Sequence, residues 1–406
     1  MTAPARPLRG ALALALTAAL AAPAGTARAD GGQCTFPAGH IEEQPWSLQR
    51  VLLDRLWQDT RGEGVRVAVI DTGVDTANPQ LTPAVDAASG ADFTPEDPED
   101  DPPARSRGDG TDDTVGHGTK VAGIIAARPH PDSGFVGLAP EATIIPIRQN
   151  DEYGSGTVAS LARSVHHAIE QDAHVINISQ DSDEPLSDDS ALKKAVDAAL
   201  AEEIVVIASV GNDGVDGRSK DTYPASYDGV LAVAASDRNN ERAPFSQAGD
   251  FVGIAAPGVD MVSTVPGGGQ CVDHGTSFSA PYVAGVAALL RAKHPDRTAR
   301  EITAQLQQTA ERSITGPDRY IGWGVVDPVR ALTDDATPLP SPTPDQGAPA
   351  VPAPDVPDLV LGETYAQRAE RLGTYALLTG AVLTFGLAGA ALVQRDRRRR
   401  RHRKTG

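Results

Sequence analysis

Five apolar runs recur through the middle of the chain, at 66–70, 143–147, 175–179, 204–209 and 230–235, rich in Val and Ile and with little alternation. A strand wetted on one face alternates apolar and polar residues, so runs without alternation predict strands covered on both faces. Between them, 118–127, 157–171 and 188–202 carry apolar residues at helical spacing. Strands alternating with helices predict an α/β fold, a mostly parallel central sheet with helices on both faces. In such sheets functional groups gather where strands end and loops begin.

Two further apolar stretches lie outside this alternation. Met1–Ala29 has a basic start (Arg6, Arg9), an apolar run over 10–23, and small residues at Ala27 and Ala29. This predicts a secretory signal peptide cleaved before Asp30. Residues 372–393 hold no charge, and at about 1.5 Å per residue they would cross a hydrocarbon core as one helix. The arginine-rich end that follows predicts a cytoplasmic tail, leaving 30–371 outside the cell. Dense proline after Thr333 predicts an extended spacer. The expected division is therefore signal peptide 1–29, N-terminal segment 30–63, a domain over 64–332, Pro-rich linker and juxtamembrane segment 333–371, transmembrane helix 372–393, and basic cytoplasmic tail 394–406.

Charge follows that division. The formal net charge is −18, and residues 394–406 hold eight positive and one negative side chains, so everything before them carries −25. So acidic an exterior argues against nucleic acid as a partner. Three Trp and seven Tyr without an aromatic-rich repeat give no support to a carbohydrate-binding module. The only cysteines, Cys34 and Cys271, both lie in the exported part, which favours one disulfide.

Three short motifs carry candidate chemistry. Asp71 closes the first apolar run and is followed by Thr72-Gly73. Asp-Thr-Gly also marks aspartic proteases, but their two carboxylates share one proton, and no second such triplet occurs here in a matching context. His117 stands between Gly116 and Gly118 at the head of an apolar helical run. Ser277 stands in Gly275-Thr276-Ser277 before another such run, Tyr282–Ala292. A serine there sits near unpaired N–H groups and the positive end of a helix, although a plain helix cap has the same pattern.

The order Asp71, His117, Ser277, each in a glycine-bearing motif, resembles the subtilisin-like (S8) serine peptidases over about 64–330. Ser209-Val210-Gly211-Asn212-Asp213-Gly214 is similar to the family's oxyanion-asparagine motif, and Gly322-Trp323-Gly324 to its closing signature. The resemblance implies a subtilisin-like fold, Asp71, His117 and Ser277 as catalytic residues, and Asn212 as the oxyanion donor. It implies substrate-binding roles for Ser179, Gln180 and Asp181 on one wall and for Gly154 on the other, with Ser209 and Gly211 beside them. Asp181 stands where the family usually carries glycine; an acid there either favours basic side chains or narrows the cleft.

The segment order resembles, more narrowly, the mycosins, membrane-anchored serine proteases of type VII secretion. That likeness implies protein or peptide substrates, a type VII secretion membrane complex as partner, and an N-terminal segment that wraps the catalytic domain. A Cys34–Cys271 bridge would hold that segment near Ser277, although mycosins commonly carry more cysteines. The acidic stretch 95–103 is proline-broken and reads as a solvated loop rather than a calcium site, so neither a metal nor a cofactor is expected.

Overall fold

The computed structural model describes residues 34–95, 106–182, 186–187, 189–334, 338–345 and 362–402. The signal peptide, most of the acidic loop and the last tail residues lie outside them. Two compact units result, Met1–Gln346 and Gly347–Gly406.

In the first unit, β1 (Arg66–Asp71), β2 (Ala91–Asp92), β3 (Thr143–Arg148), β4 (Val175–Ile178), β5 (Val205–Ser209), β6 (Leu231–Ser236) and β7 (Ile254–Pro257) form one sheet. Their order is β2-β3-β1-β4-β5-β6-β7, and every neighbouring pair is parallel. All five expected strands are present; β2, of two residues, is too short to stand out as an apolar run, and β7 was not among the expected strands. A hairpin of β8 (Met261–Thr264) and β9 (Gln270–Asp273) is antiparallel.

Successive strand residues point to opposite faces, and both faces are covered. Val67 and Val69 join one core cluster, Ala68 and Ile70 the other. The first cluster is filled by α3 (His117–Ala126) and α6 (Thr276–Lys293), the second by α4 (Val158–Glu170) and α5 (Ala191–Ala201). Each fully buried Val, Ile or Leu contributes about 1.5–3 kcal/mol, which explains the missing alternation. Helix α6 is buried from Thr276 through Arg291, and its many small residues let it lie close to the sheet. Helices α7 (Ala299–Gln308) and α8 (Pro328–Thr333) close this unit.

Residues 34–63, with one-turn helices α1 (Trp46–Gln49) and α2 (Leu53–Leu56), run over the same unit. Leu48, Val51 and Leu56 enter its first core cluster. The Trp46 indole donates to the Val259 carbonyl at 3.0 Å, the Trp57 indole to the Leu138 carbonyl at 2.8 Å, and the buried Tyr282 hydroxyl to the Ser47 carbonyl at 3.1 Å. Cys34 and Cys271 are joined by a disulfide. At the far end, residues 338–345 of the proline-rich stretch are docked rather than free. Arg312, whose side chain is 4% exposed, pairs with Asp345 at 2.7 Å, and the Thr343 N–H donates to Gln308 at 2.7 Å.

The second unit is described from residue 362 and consists of α9 (Tyr365–His402), long and apolar enough to cross a membrane. The helix continues past the apolar stretch into the arginines.

Candidate active site

The direction in which strands are added to the sheet reverses at β1: the following strands β2 and β3 lie on one side of it, β4 and β5 on the other. Such a reversal opens a crevice at the strands' carboxyl ends, and the candidate residues leave from there. Asp71 is the last residue of β1 and fully buried. His117 begins α3, and its Nδ1 lies 2.7 Å from Asp71 Oδ1. Gly118 makes this approach possible, because a Cβ there would run into the Gly73 carbonyl. Burial opposes charge on the imidazole, but the Asp71 carboxylate, by its charge and hydrogen bond, outweighs that and raises the His117 pKa. The imidazole keeps 29% of its surface open.

One buried carboxylate absent from the sequence reading organises this corner. Asp113 is 6% exposed. Its Oδ1 accepts from Thr72 Oγ1 at 2.8 Å, the Gly116 N–H at 2.7 Å and the Val115 N–H at 3.2 Å. Its Oδ2 accepts from the Thr119 N–H at 2.9 Å and Thr119 Oγ1 at 2.5 Å. The residue after Asp71 and both sides of His117 are thus tied to one group. Burial pushes the Asp113 carboxyl pKa up despite these bonds. An acid four residues before His117 was the available signal, but nothing local marks it as buried. One turn beyond His117, Lys120 pairs with Asp273 on β9 at 2.8 Å.

Ser277 lies in the first turn of α6 and is 8% exposed. Gly275 precedes it at φ 154°, ψ 158°, a conformation only glycine adopts without strain. A Cβ at Gly275 would lie 3.0 Å from Ser277 Oγ and 3.6 Å from Asn212 Nδ2, so those two groups converge on one point. Asn212 Oδ1 accepts from the Thr276 N–H at 2.9 Å and Thr276 Oγ1 at 3.1 Å. The oxygen being held, the amide's NH₂ end is left to face the crevice. Pro281 inside α6 has no N–H for the Ser277 carbonyl four residues back; Ser179 Oγ donates to that carbonyl instead, at 3.1 Å.

Ser179 follows β4, and Ser209 ends β5. Gln180 and Asp181 line a cavity of about 550 Å³ beside them, and Gly211 lies against the Asp181 carboxylate. Gly154 itself does not line this cavity; Gly156 and Thr157, just beyond it, do. Among the described residues no group of three His, Cys, Asp or Glu side chains is placed to hold a metal.

The chain matches the subtilase family's sequence profile over residues 62–324. It is 32% identical to Mycosin-1 of Mycolicibacterium smegmatis, over 90% of this chain and 87% of that protein. It is 37% identical to subtilisin Savinase of Lederbergia lenta, over 70% of this chain and 96% of the other. The solved MycP3 protease of the type VII (ESX-3) secretion system superposes with a TM-score of 0.63 at 36% identity, covering 74% of this chain and 90% of that one. With a subtilisin-like fold and these relatives, the chain belongs to the subtilase family as a subtilisin-like serine endopeptidase related to the mycosins.

Proposed function

We propose that this protein is a membrane-anchored extracellular serine endopeptidase of a type VII secretion complex, with Asp71, His117 and Ser277 as its catalytic triad. The observation that carries the reading is the 2.7 Å contact of His117 with buried Asp71, together with the bond from the Thr276 N–H, next to Ser277, to Asn212. Ser277 Oγ bonds to the scissile carbonyl carbon while His117 Nε2 takes the hydroxyl proton. Asp71 holds Nδ1 and the charge that forms on the ring. The oxyanion is received by the Asn212 amide and the Ser277 N–H. His117 then returns the proton to the leaving amine as the C–N bond breaks. Water, deprotonated by the same imidazole, releases the acyl group.

In this reading residues 1–29 direct export and 30–63 are a permanent strap over the peptidase domain at 64–332. The shared core and the Trp46, Trp57 and Tyr282 hydrogen bonds support a permanent rather than removable strap. The linker at 333–371 leads to an anchor at 372–393 with a cytoplasmic tail at 394–406. Substrates are proteins or peptides passing the outer face.

Labelling with a fluorophosphonate probe tests the chemistry: the full-length protein should label, and Ser277→Ala should not. Secretion measured in a deletion strain and in a Ser277→Ala strain tests the setting. If exported proteins lose their new N-termini in both strains, proteolysis is the task; unaltered N-termini in Ser277→Ala would refute it.

A further inference from the structure

We propose that Phe36, in the N-terminal strap, is a positioning residue that sets the place of His117. The inference deepens the reading above and rests on it.

His117 is preceded by Gly116, which caps α3 at φ 81° without a side-chain capping bond. Asp113 holds Gly116 by its N–H, at 2.7 Å. Phe36 covers its Cα: a Cβ at Gly116 would lie 2.4 Å from Phe36 Cζ and 2.7 Å from Cε2, closer than real Cβ contacts come. The tip of the ring thus rests on bare backbone, with no room for a side chain at 116. Asp113 and Phe36 grip one residue, and His117 is the next.

The aromatic ring is itself held. Two residues before it, Cys34 is bonded to Cys271 on β9. Two residues after it, the Ala38 N–H donates to the Gly268 carbonyl at 3.0 Å, and the Gln270 N–H donates to the Gly39 carbonyl at 3.1 Å. All three attachments are to the β8–β9 hairpin, and that hairpin is bonded to α3. Ser263 Oγ donates to the Lys120 carbonyl at 2.6 Å, Thr264 Oγ1 to the Thr119 carbonyl at 2.8 Å, and Lys120 Nζ to Asp273 Oδ2 at 2.8 Å. Strap, hairpin and helix thereby close a circuit of contacts around the first turn of α3, the turn that carries His117.

Two roles for Phe36 compete, attaching the strap and holding Gly116. Attachment is supplied elsewhere, by Leu48, Val51 and Leu56 in the core and by the Trp46, Trp57 and Tyr282 hydrogen bonds. Phe36 is 37% exposed, whereas those three core residues are buried. A glycine at positive φ, by contrast, is the freest kind of backbone, and here it leads directly into the catalytic imidazole. A stop at that point has a catalytic consequence, because a misplacement of about 1 Å costs ~10² in rate. Holding Gly116 is the role the geometry favours.

The test uses the full-length protein in detergent and a fluorophosphonate probe, whose reaction at Ser277 needs His117 to accept the hydroxyl proton. Varying the probe concentration separates the maximal labelling rate from the half-saturating concentration. Phe36→Ala should lower the maximal rate about 10-fold, with little change in half-saturation or in the urea unfolding midpoint. Phe36→Met, of similar length, should recover most of the rate. Phe36→Tyr should not, because its hydroxyl would grow from Cζ, the atom nearest Gly116; a mere apolar anchor would accept tyrosine there. Cys34→Ser should also slow labelling, and should add nothing in a Phe36→Ala background. A wild-type rate in Phe36→Ala, a tyrosine variant as fast as wild type, or a change confined to half-saturation would overturn the proposal. The failures are distinguishable: a wild-type protein that does not label removes the triad itself, whereas one that labels equally whatever stands at 36 refutes the positioning alone.

Discussion

Asp113 offers the sharpest test of how the site is held, because the structure sets the size of the effect. Replacing it with alanine removes the acceptor for two hydroxyls and three backbone N–H groups. The hydroxyls of Thr72 and Thr119 can turn elsewhere, and the 3.2 Å bond from Val115 is weak. The buried N–H groups of Gly116 and Thr119 cannot turn. Leaving them unsatisfied costs about 1–3 kcal/mol each, so Asp113→Ala should lose about 2–6 kcal/mol of stability. That is a large share of the ~5–15 kcal/mol of a typical fold. Asp113→Asn is the milder variant. It keeps the Oδ1 bonds but turns an NH₂ toward the Thr119 N–H, for about 1–3 kcal/mol.

Because Gly116 and Thr119 flank His117, a shift of about 1 Å should reduce kcat/KM by ~10² in either variant. A second readout isolates charge from packing. Burial opposes the protonated form of His117, while Asp71 and, more weakly, Asp113 favour it. Removing the Asp113 charge should therefore move the acid limb of kcat/KM to lower pH, whereas mere loosening would not. Urea unfolding, peptide hydrolysis and a pH profile of Asp113→Asn together decide it. Wild-type values in all three would refute the clamp.

Three other outcomes are expected. Asn212→Ala should cut kcat by about 10²–10³ with little change in KM; an unchanged kcat would mean that the oxyanion lies elsewhere. The wild-type acid limb should lie above 6.5, the ordinary value for histidine. The reasoning is that hydrolysis needs neutral His117, whose folded pKa is raised, so activity is lost as pH falls through that raised value; a limb below 6.5 would contradict it. Arg312→Ala should release residues 338–345 and add new cleavage sites there in limited proteolysis with a second protease, leaving peptide hydrolysis unaltered. An unchanged digest would show that the docked linker does not depend on this pair.

The expected transmembrane stretch at 372–393 and the helix Tyr365–His402 illustrate what an apolar run alone conveys. The run bounds what lipid would cover, but the helix continues into the arginines because nothing there breaks it. The core strands were equally legible, since burial on both faces leaves a local trace in every residue. Asp71, His117 and Ser277 were legible because each stands in a glycine-bearing motif, forced by close approaches such as Gly118 on Gly73.

Residues whose work depends on distant partners left no such trace. Asp113 reads as one more acid in an acidic loop until folding surrounds it with Thr72, Gly116 and Thr119. Ser179 gains its role because Pro281, 102 positions later, frees the Ser277 carbonyl. That Asp181 lies against Gly211, 30 positions away, is likewise set only by folding. Sequence by itself thus determined the alternation of strands and helices, the apolar C-terminal helix and the family, all encoded in local pattern. The tertiary structure alone decided the clamp on His117, the orientation of the Asn212 amide and the docking of residues 338–345. Each of these joins side chains far apart in the chain, and only packing sets which of them meet.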